Sequence, residues 1–174
     1  PFAEYVSGHS TFSAAGATIL ELFSGSDTFG GSVSFGTGES RFEPGVTPTT
    51  NLTLAWNRFS VAADEAGLSR LYGGIHFDDG DINGRTLGQD VAASVFAKSL
   101  FYINGGVDQN VIVGSRDDDR LSGTGDDDQI HGRSGNDRIK AKDGNDLVYG
   151  GDGADILRGD TQSGNGGRDE LWGE

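Results

Sequence analysis

Gly150-Gly151-Asp152-Gly153-Ala154-Asp155-Ile156-Leu157-Arg158 decides how the second part of this chain folds. The stretch fits G-G-x-G-x-D-x-U-x, with U apolar, and the pattern recurs. Asp119, Asp128, Asp137, Asp146 and Asp155 stand nine residues apart, each followed two positions on by Leu121, Ile130, Ile139, Val148 or Leu157. A nine-residue period of this kind marks a parallel β-helical roll. Glycine in the first half of each repeat makes a tight turn, because it reaches positive φ without steric cost. The x-U-x half makes a very short strand whose middle side chain points inward. Two repeats complete one coil, so aspartates 18 apart are expected to stack: Asp119, Asp137 and Asp155 on one edge, Asp128 and Asp146 on the other.

Stacked carboxylates call for a cation. Calcium suits the spacing, being a hard ion that takes six to eight oxygens from carboxylates and backbone carbonyls. The register extends both ways. Upstream, Gly105 to Val113 carries Asn110 in the aspartate place and Ile112 in the apolar place, and is expected to form an edge coil without full ligation. Downstream, an insert around Gly159 to Ser163 delays the next repeat, which resumes as Gly164-Asn165-Gly166-Gly167-Arg168-Asp169-Glu170-Leu171-Trp172 and puts Asp169 on the edge of Asp128 and Asp146. The expected metal ligands are Asp119, Asp128, Asp137, Asp146, Asp155 and Asp169, with room for about four inter-turn sites. Periodic Leu, Ile and Val argue against a disordered acidic tail.

Composition agrees. The 174 residues include 30 glycines and neither cysteine nor methionine, so no disulfide or thiolate site is available. The net charge of -14 speaks against nucleic acid and anionic membranes as partners. Residues 1 to 100 carry 5 basic and 11 acidic side chains, and 101 to 174 carry 8 and 16. No apolar run reaches the length of a membrane span. The chain opens on Pro1-Phe2 without a Met and stops in a turn at Gly173-Glu174, and is expected to be a segment of a longer protein.

In the first hundred residues two words stand out: Tyr5-Val6-Ser7-Gly8-His9-Ser10 and Ser69-Arg70-Leu71-Tyr72-Gly73-Gly74-Ile75-His76. The first precedes an expected helix over 10–23, with Phe12, Ala15, Ile19 and Leu22 on one face. Ser7, Gly8 and His9 then sit at a helix N-terminus, where unpaired N–H groups and the helix dipole attract an anion. Arg70 adds a planar fork suited to phosphate-like oxygens, and His76 an imidazole able to act as nucleophile or ligand. Residues 24 to 52 read as loop with a short hairpin. Helices are expected over 57–66 and 85–102, the second with Leu87, Val91, Val95 and Ser99 stepping by four. His131 is expected on the surface, and Trp56 and Trp172 in packing roles. The class is therefore α + β in two domains: a mostly helical unit over 1–104 and a parallel β-roll over 105–174.

S-G-H followed by S-R-x5-H resembles the vanadium-dependent haloperoxidases and the type 2 phosphatidic acid phosphatases that share their fold. The flanks, Pro1 to Tyr5 and Ala66 to Phe77, are more similar to the haloperoxidase branch. Residues 105–174 resemble the repeats-in-toxin proteins with hemolysin-type repeats. The first resemblance implies that His76 holds vanadate axially, that His9 is the acid-base group, and that Ser7, Gly8 and Arg70 hold the equatorial oxygens. Asp79 or Asp81 is left to orient His76, because the carboxylate usual four residues beyond that histidine falls on Gly80. Val6 replaces the usual proline, and the family's upstream lysine and arginine have no counterpart.

Three functions stay open on these grounds. The first is a haloperoxidase that uses hydrogen peroxide and halide with vanadate, and calcium in the roll. The second is a phosphomonoesterase acting on a phosphate ester through a phosphohistidine on His76. The third is an inactive calcium-binding structural module. The repeats-in-toxin resemblance implies export to the extracellular space.

Overall fold

The computed structural model describes residues 4–106, 110–160 and 167–173. The helical part is built on α1 (Gly8–Ser24), α2 (Phe59–Tyr72) and α3 (Asp78–Ile103), with an antiparallel hairpin of β1 (Thr28–Phe35) and β2 (Leu52–Arg58) between the first two helices. Ser7 caps α1, its hydroxyl oxygen accepting the Ser10 N–H at 3.3 Å, and Gly25 ends it in the left-handed conformation with its N–H on the Glu21 carbonyl. That start suits a serine N-cap, and that stop suits glycine at the position after the helix.

Helices α1 and α3 pack closely because α3 turns glycine toward its partner. A Cβ on Gly84 would lie 2.9 Å from the Ser7 carbonyl oxygen, and one on Gly88 would overlap the Thr11 carbonyl oxygen. The buried face of α3 is Gly80, Asp81, Gly84, Gly88, Ala92 and Phe96. This corrects the expected core stripe: Leu87, Val91 and Val95 are 44%, 48% and 52% exposed. Hydrophobic periodicity finds large apolar faces, whereas this contact is made by the absence of side chains. On α1 the same effect leaves Phe12 exposed and Leu22 buried, beside Ser10, Ala14, Ala17, Thr18 and Glu21.

Element boundaries shift with the hairpin. Asn57 and Arg58 belong to β2, so the second helix begins at Phe59 and runs on through Ser69 and Arg70. The third begins seven residues before the expected Arg85, taking Asp78, Asp79 and Asp81 into its first turn, where carboxylates favour the N-terminal dipole.

The roll follows the nine-residue arithmetic. Its strands are β3 (Asn110–Val113), β4 (Arg120–Ser122), β5 (Asp128–Ser134), β6 (Arg138–Lys140), β7 (Leu147–Asp152), β8 (Ile156–Arg158) and β9 (Glu170–Trp172). They form two parallel sheets, β3-β5-β7-β9 and β4-β6-β8. Ile112, Ile130, Val148 and Leu171 pair in one sheet, and Leu121, Ile139 and Leu157 in the other. Ile130, Ile139, Ala141 and Val148 are the buried core between them. The insert changes the spacing between Val148 and Leu171 from 18 to 23; its residues 161–163, with residues 164–166 of the resumed repeat, lie outside the described residues. So do 107–109 of the expected edge coil, whose Asn110 stands opposite Asp128. Among the described residues no helix is long and apolar enough to cross a membrane.

The sheet β3-β5-β7-β9 docks on the helices. Arg133 reaches from β5 to α1, where Nε and a terminal nitrogen donate to the two oxygens of Glu21 at 3.1 and 2.9 Å and the same terminal nitrogen donates to Thr18 Oγ1 at 3.3 Å, all buried. His131 stacks on Tyr149 with ring centres 4.8 Å apart and meets the edge of Phe96 of α3 at 5.4 Å. The Gln129 amide donates to His131 Nε2 at 2.9 Å. Tyr149 itself lies against the α carbon of Gly25. His131 is thus an interface residue at 2% exposure, not a surface one. Trp172, on strand β9, is exposed rather than packed.

Candidate anion and calcium sites

The helix ends bring the two histidine words to one end of the helical part. Ser7 N–H donates to the Gly80 carbonyl in the first turn of α3 at 2.9 Å. Glu4, just upstream, accepts the Phe77 N–H on its carboxylate at 3.0 Å and faces His76 with its backbone carbonyl at 2.8 Å. A carbonyl only accepts, so His76 Nδ1 is the donor in this contact, and in the neutral ring the lone pair then lies on Nε2. Backbone Glu4 therefore orients His76, in place of the expected Asp79 or Asp81. Asp79 is exposed. Asp81 is buried and engaged elsewhere, accepting from Ser10 Oγ at 2.5 Å and from Arg85, which also pairs with Asp64 at 2.8 Å.

The remaining groups of this end suit an oxyanion. Ser7 is fully buried, and beside Gly8 an added Cβ would meet nothing within 4 Å, so the backbone there is open to approach. Arg70 stands in the last turn of α2 with Nε buried and, among the described residues, without a hydrogen-bond partner. A buried guanidinium donor left unpaired is costly, and an anion oxygen satisfies it. His9 is exposed in the first turn of α1.

On the roll, aspartates 18 apart form ladders. Asp119 N–H donates to Asp137 Oδ1 at 2.8 Å and Asp137 N–H to Asp155 Oδ1 at 2.9 Å; on the other edge Asp128 N–H donates to Asp146 Oδ1 at 2.9 Å and Asp146 N–H to Asp169 Oδ1 at 3.2 Å. The second oxygens divide into two groups. Those of Asp119, Asp128 and Asp169 accept from the N–H groups of Ser115, Thr124 and Asp160. Those of Asp137, Asp146 and Asp155 are buried with no partner among the described residues.

Those orphaned oxygens are the test of fit for a cation. At Gly114, Gly123 and Gly132 a carboxylate and a carbonyl from the next coil converge: a Cβ on Gly114 would lie 2.7 Å from both Asp119 Oδ2 and the Gly132 carbonyl, and one on Gly132 would overlap Asp137 Oδ2 and the Gly150 carbonyl. Among the described residues no three carboxylates or imidazoles gather at one point, so a calcium ion here would need backbone carbonyls beside the carboxylates. Burial first, then the neighbouring carboxylates, raise the pKa of Asp137 and Asp146, although the N–H groups they accept pull the other way. Without a cation these sites disfavour their own ionised form.

The comparisons with known proteins agree with the two-part fold. The family model of the VCPO second helical-bundle domain matches residues 1–105, and that of the RTX calcium-binding nonapeptide repeat matches 104–139 and 131–163. No curated protein matches. Among solved structures, the apo-type bacterial vanadium-dependent chloroperoxidase aligns with a TM-score of 0.52 at 22% identity, over 55% of this chain and 22% of that one. The holo-type structure aligns with a TM-score of 0.51 at 22% identity, over 53% and 20%. The chain thus spans about a fifth of the length of these chloroperoxidases, and at this identity the likeness is one of fold. With three helices matched over 1–105 and a parallel roll of RTX calcium-binding repeats behind them, the chain belongs to the VCPO second helical-bundle domain family.

Proposed function

We propose that residues 1–104 supply part of the oxyanion site of a vanadate-dependent haloperoxidase and that residues 105–174 form its calcium-binding module in an extracellular protein. The observation that carries the reading is the buried, unpartnered Arg70 Nε at the same end of the helices as a His76 whose tautomer is held by Glu4. Vanadate is a tetrahedral oxyanion that, when bound, supplies Lewis-acid activation of hydrogen peroxide for halide oxidation. Arg70, the Ser7 hydroxyl and the Gly8 amide would hold the vanadate oxygens, His76 would ligate the group through Nε2, and His9 would move a proton at the open face; the Ser7 amide is already engaged by the Gly80 carbonyl. Asp119, Asp128, Asp137, Asp146, Asp155 and Asp169 contribute to the calcium sites, with Asp137, Asp146 and Asp155 foremost because their second oxygens have no donor among the described residues.

The orientation of His76 also fits a phosphohistidine, so a phosphomonoesterase is the second reading. One assay separates them. The whole protein, given vanadate, peroxide and bromide, is expected to brominate a dye, with His76→Ala lowering turnover about 100-fold or more. Inhibition by vanadate of phosphate-ester hydrolysis would favour the phosphatase, and no turnover of either kind at saturating vanadate would reject both.

A further inference from the structure

The two sheets of the roll differ in chemistry with an 18-residue period. On the docked sheet the outward residues flanking the apolar position are Gln129 and His131, then Leu147 and Tyr149. On the other sheet they are Arg120 and Ser122, Arg138 and Lys140, Ile156 and Arg158. Parallel register sets Arg120 beside Arg138 and Lys140 beside Arg158, while Arg138 and Lys140 share one strand face. The four cations therefore form a diagonal stripe across three strands, lining an open cleft of about 430 Å³. Half of the eight basic side chains in 101–174 lie on this one face of a chain whose net charge is -14.

Like charges on adjacent strands destabilise a sheet unless something answers them. Three of the other four basic groups of the roll lie near carboxylates: Arg133 pairs with Glu21, and Arg116 and Arg168 stand 4.0 Å from Asp64 and Glu170. Among the described residues, none of the four on the stripe makes an ion pair. Asp118, Asp119 and Asp137 border Arg120 and Arg138 in a neighbouring cleft, on the edge where calcium is proposed to bind. Calcium there neutralises the acids and leaves the stripe the dominant charge on that side.

From this arrangement we propose that the β4-β6-β8 face is a binding site for an acidic polysaccharide, one bearing sulfate or carboxylate groups along a linear chain. A stripe spanning two interstrand spacings of roughly 5 Å each exceeds one small oxyanion, and arginine forks match sulfate and carboxylate oxygens. Single-stranded nucleic acid fits less well, because no aromatic ring lines the cleft for base stacking and the chain's net charge opposes a dense phosphate backbone. A lipid surface fits less well too: Leu121 and Ile139 turn into the core, leaving Ile156 as the exposed large apolar side chain on the stripe.

The test uses the full chain loaded with calcium and a short dextran sulfate, with neutral dextran, a single-stranded oligonucleotide and anionic vesicles as further arms. Binding of dextran sulfate is expected at low ionic strength. Arg138→Gln with Lys140→Gln, both on the exposed face of the central strand, is expected to weaken it tenfold or more and to lower the salt dependence by about two charges. Arg168→Gln, outside the stripe, is expected to change nothing, and an unchanged calcium midpoint by circular dichroism checks that the double variant folds. Absence of dextran sulfate binding, equal affinity of the double variant, or preference for the oligonucleotide or the vesicles would each overturn the proposal.

Discussion

Chelation of calcium is expected to unfold the roll, with loss of the β signal in far-UV circular dichroism and of amide protection over β3 to β9. The reason lies in the electrostatics of the two edges. Among the described residues Asp137, Asp146 and Asp155 each bury one oxygen without a donor, and burial, with like charge on neighbouring coils, raises the pKa of Asp137 and Asp146. An unsatisfied buried polar atom costs about 1–3 kcal/mol, more when it is charged, so three of them rival the few kcal/mol that separate a small folded unit from its unfolded chain. A cation bound only to the folded roll returns about 2.7 kcal/mol per site at a hundredfold excess over its dissociation constant. The roll has little else to stand on, since its buried apolar core is three branched aliphatics and one alanine. Asp137→Ala removes an inner ligand and is expected to raise the calcium concentration needed for half-folding by at least tenfold. Asp119→Ala, whose second oxygen already has Ser115 as donor, is expected to shift it less. A roll that keeps its β signal and protection in excess chelator would refute this account.

What the sequence revealed tracks how each feature is encoded. The roll is written in side chains at fixed intervals, so Ile112 through Leu171 and both aspartate ladders follow from counting, including Asp169 beyond the insert. The α1–α3 contact is encoded in glycines, at Gly84 and Gly88, and a search for apolar stripes passes over it to the exposed Leu87, Val91 and Val95. The orientation of His76 was sought in a carboxylate and comes from the Glu4 carbonyl, which any residue supplies. The docking face did leave a trace. Arg133 and Lys142 occupy a repeat position that the 150–158 consensus gives to glycine, and both keep the positive φ, 83° and 81°. A bulky residue retained at a backbone angle that disfavours it signals a contact worth more than the strain, and at Arg133 that contact is Glu21.

Breaking that contact is expected to undo the docking of roll on helices. Arg133→Ala leaves the Glu21 carboxylate buried with its charge unmatched, for which the general cost is about 3–5 kcal/mol. It should appear as lost protection of the Glu21 end of α1 and a lower unfolding midpoint in denaturant, with calcium binding retained. Arg133→Gly relieves the backbone while making the same loss, and is expected to destabilise by about 1 kcal/mol less. Combining Arg133→Ala with Glu21→Leu removes both charges and is expected to recover most of the deficit, since an apolar pair commonly replaces a buried ion pair without penalty. His131 adds a pH dependence to the same face. Burial, and then the adjacent Arg133, lower its pKa from 6.5 to about 4. The fold therefore prefers the neutral ring. Its contribution is complete above pH 6.5 and is lost as pH falls toward 4, reaching about 3 kcal/mol when the displacement is converted at 1.36 kcal/mol per pH unit. His131→Gln should flatten the stability profile between pH 6.5 and 4 in saturating calcium. If Arg133→Ala costs under about 1 kcal/mol and the His131→Gln profile matches the parent, the two parts of the chain are held together by something other than this face.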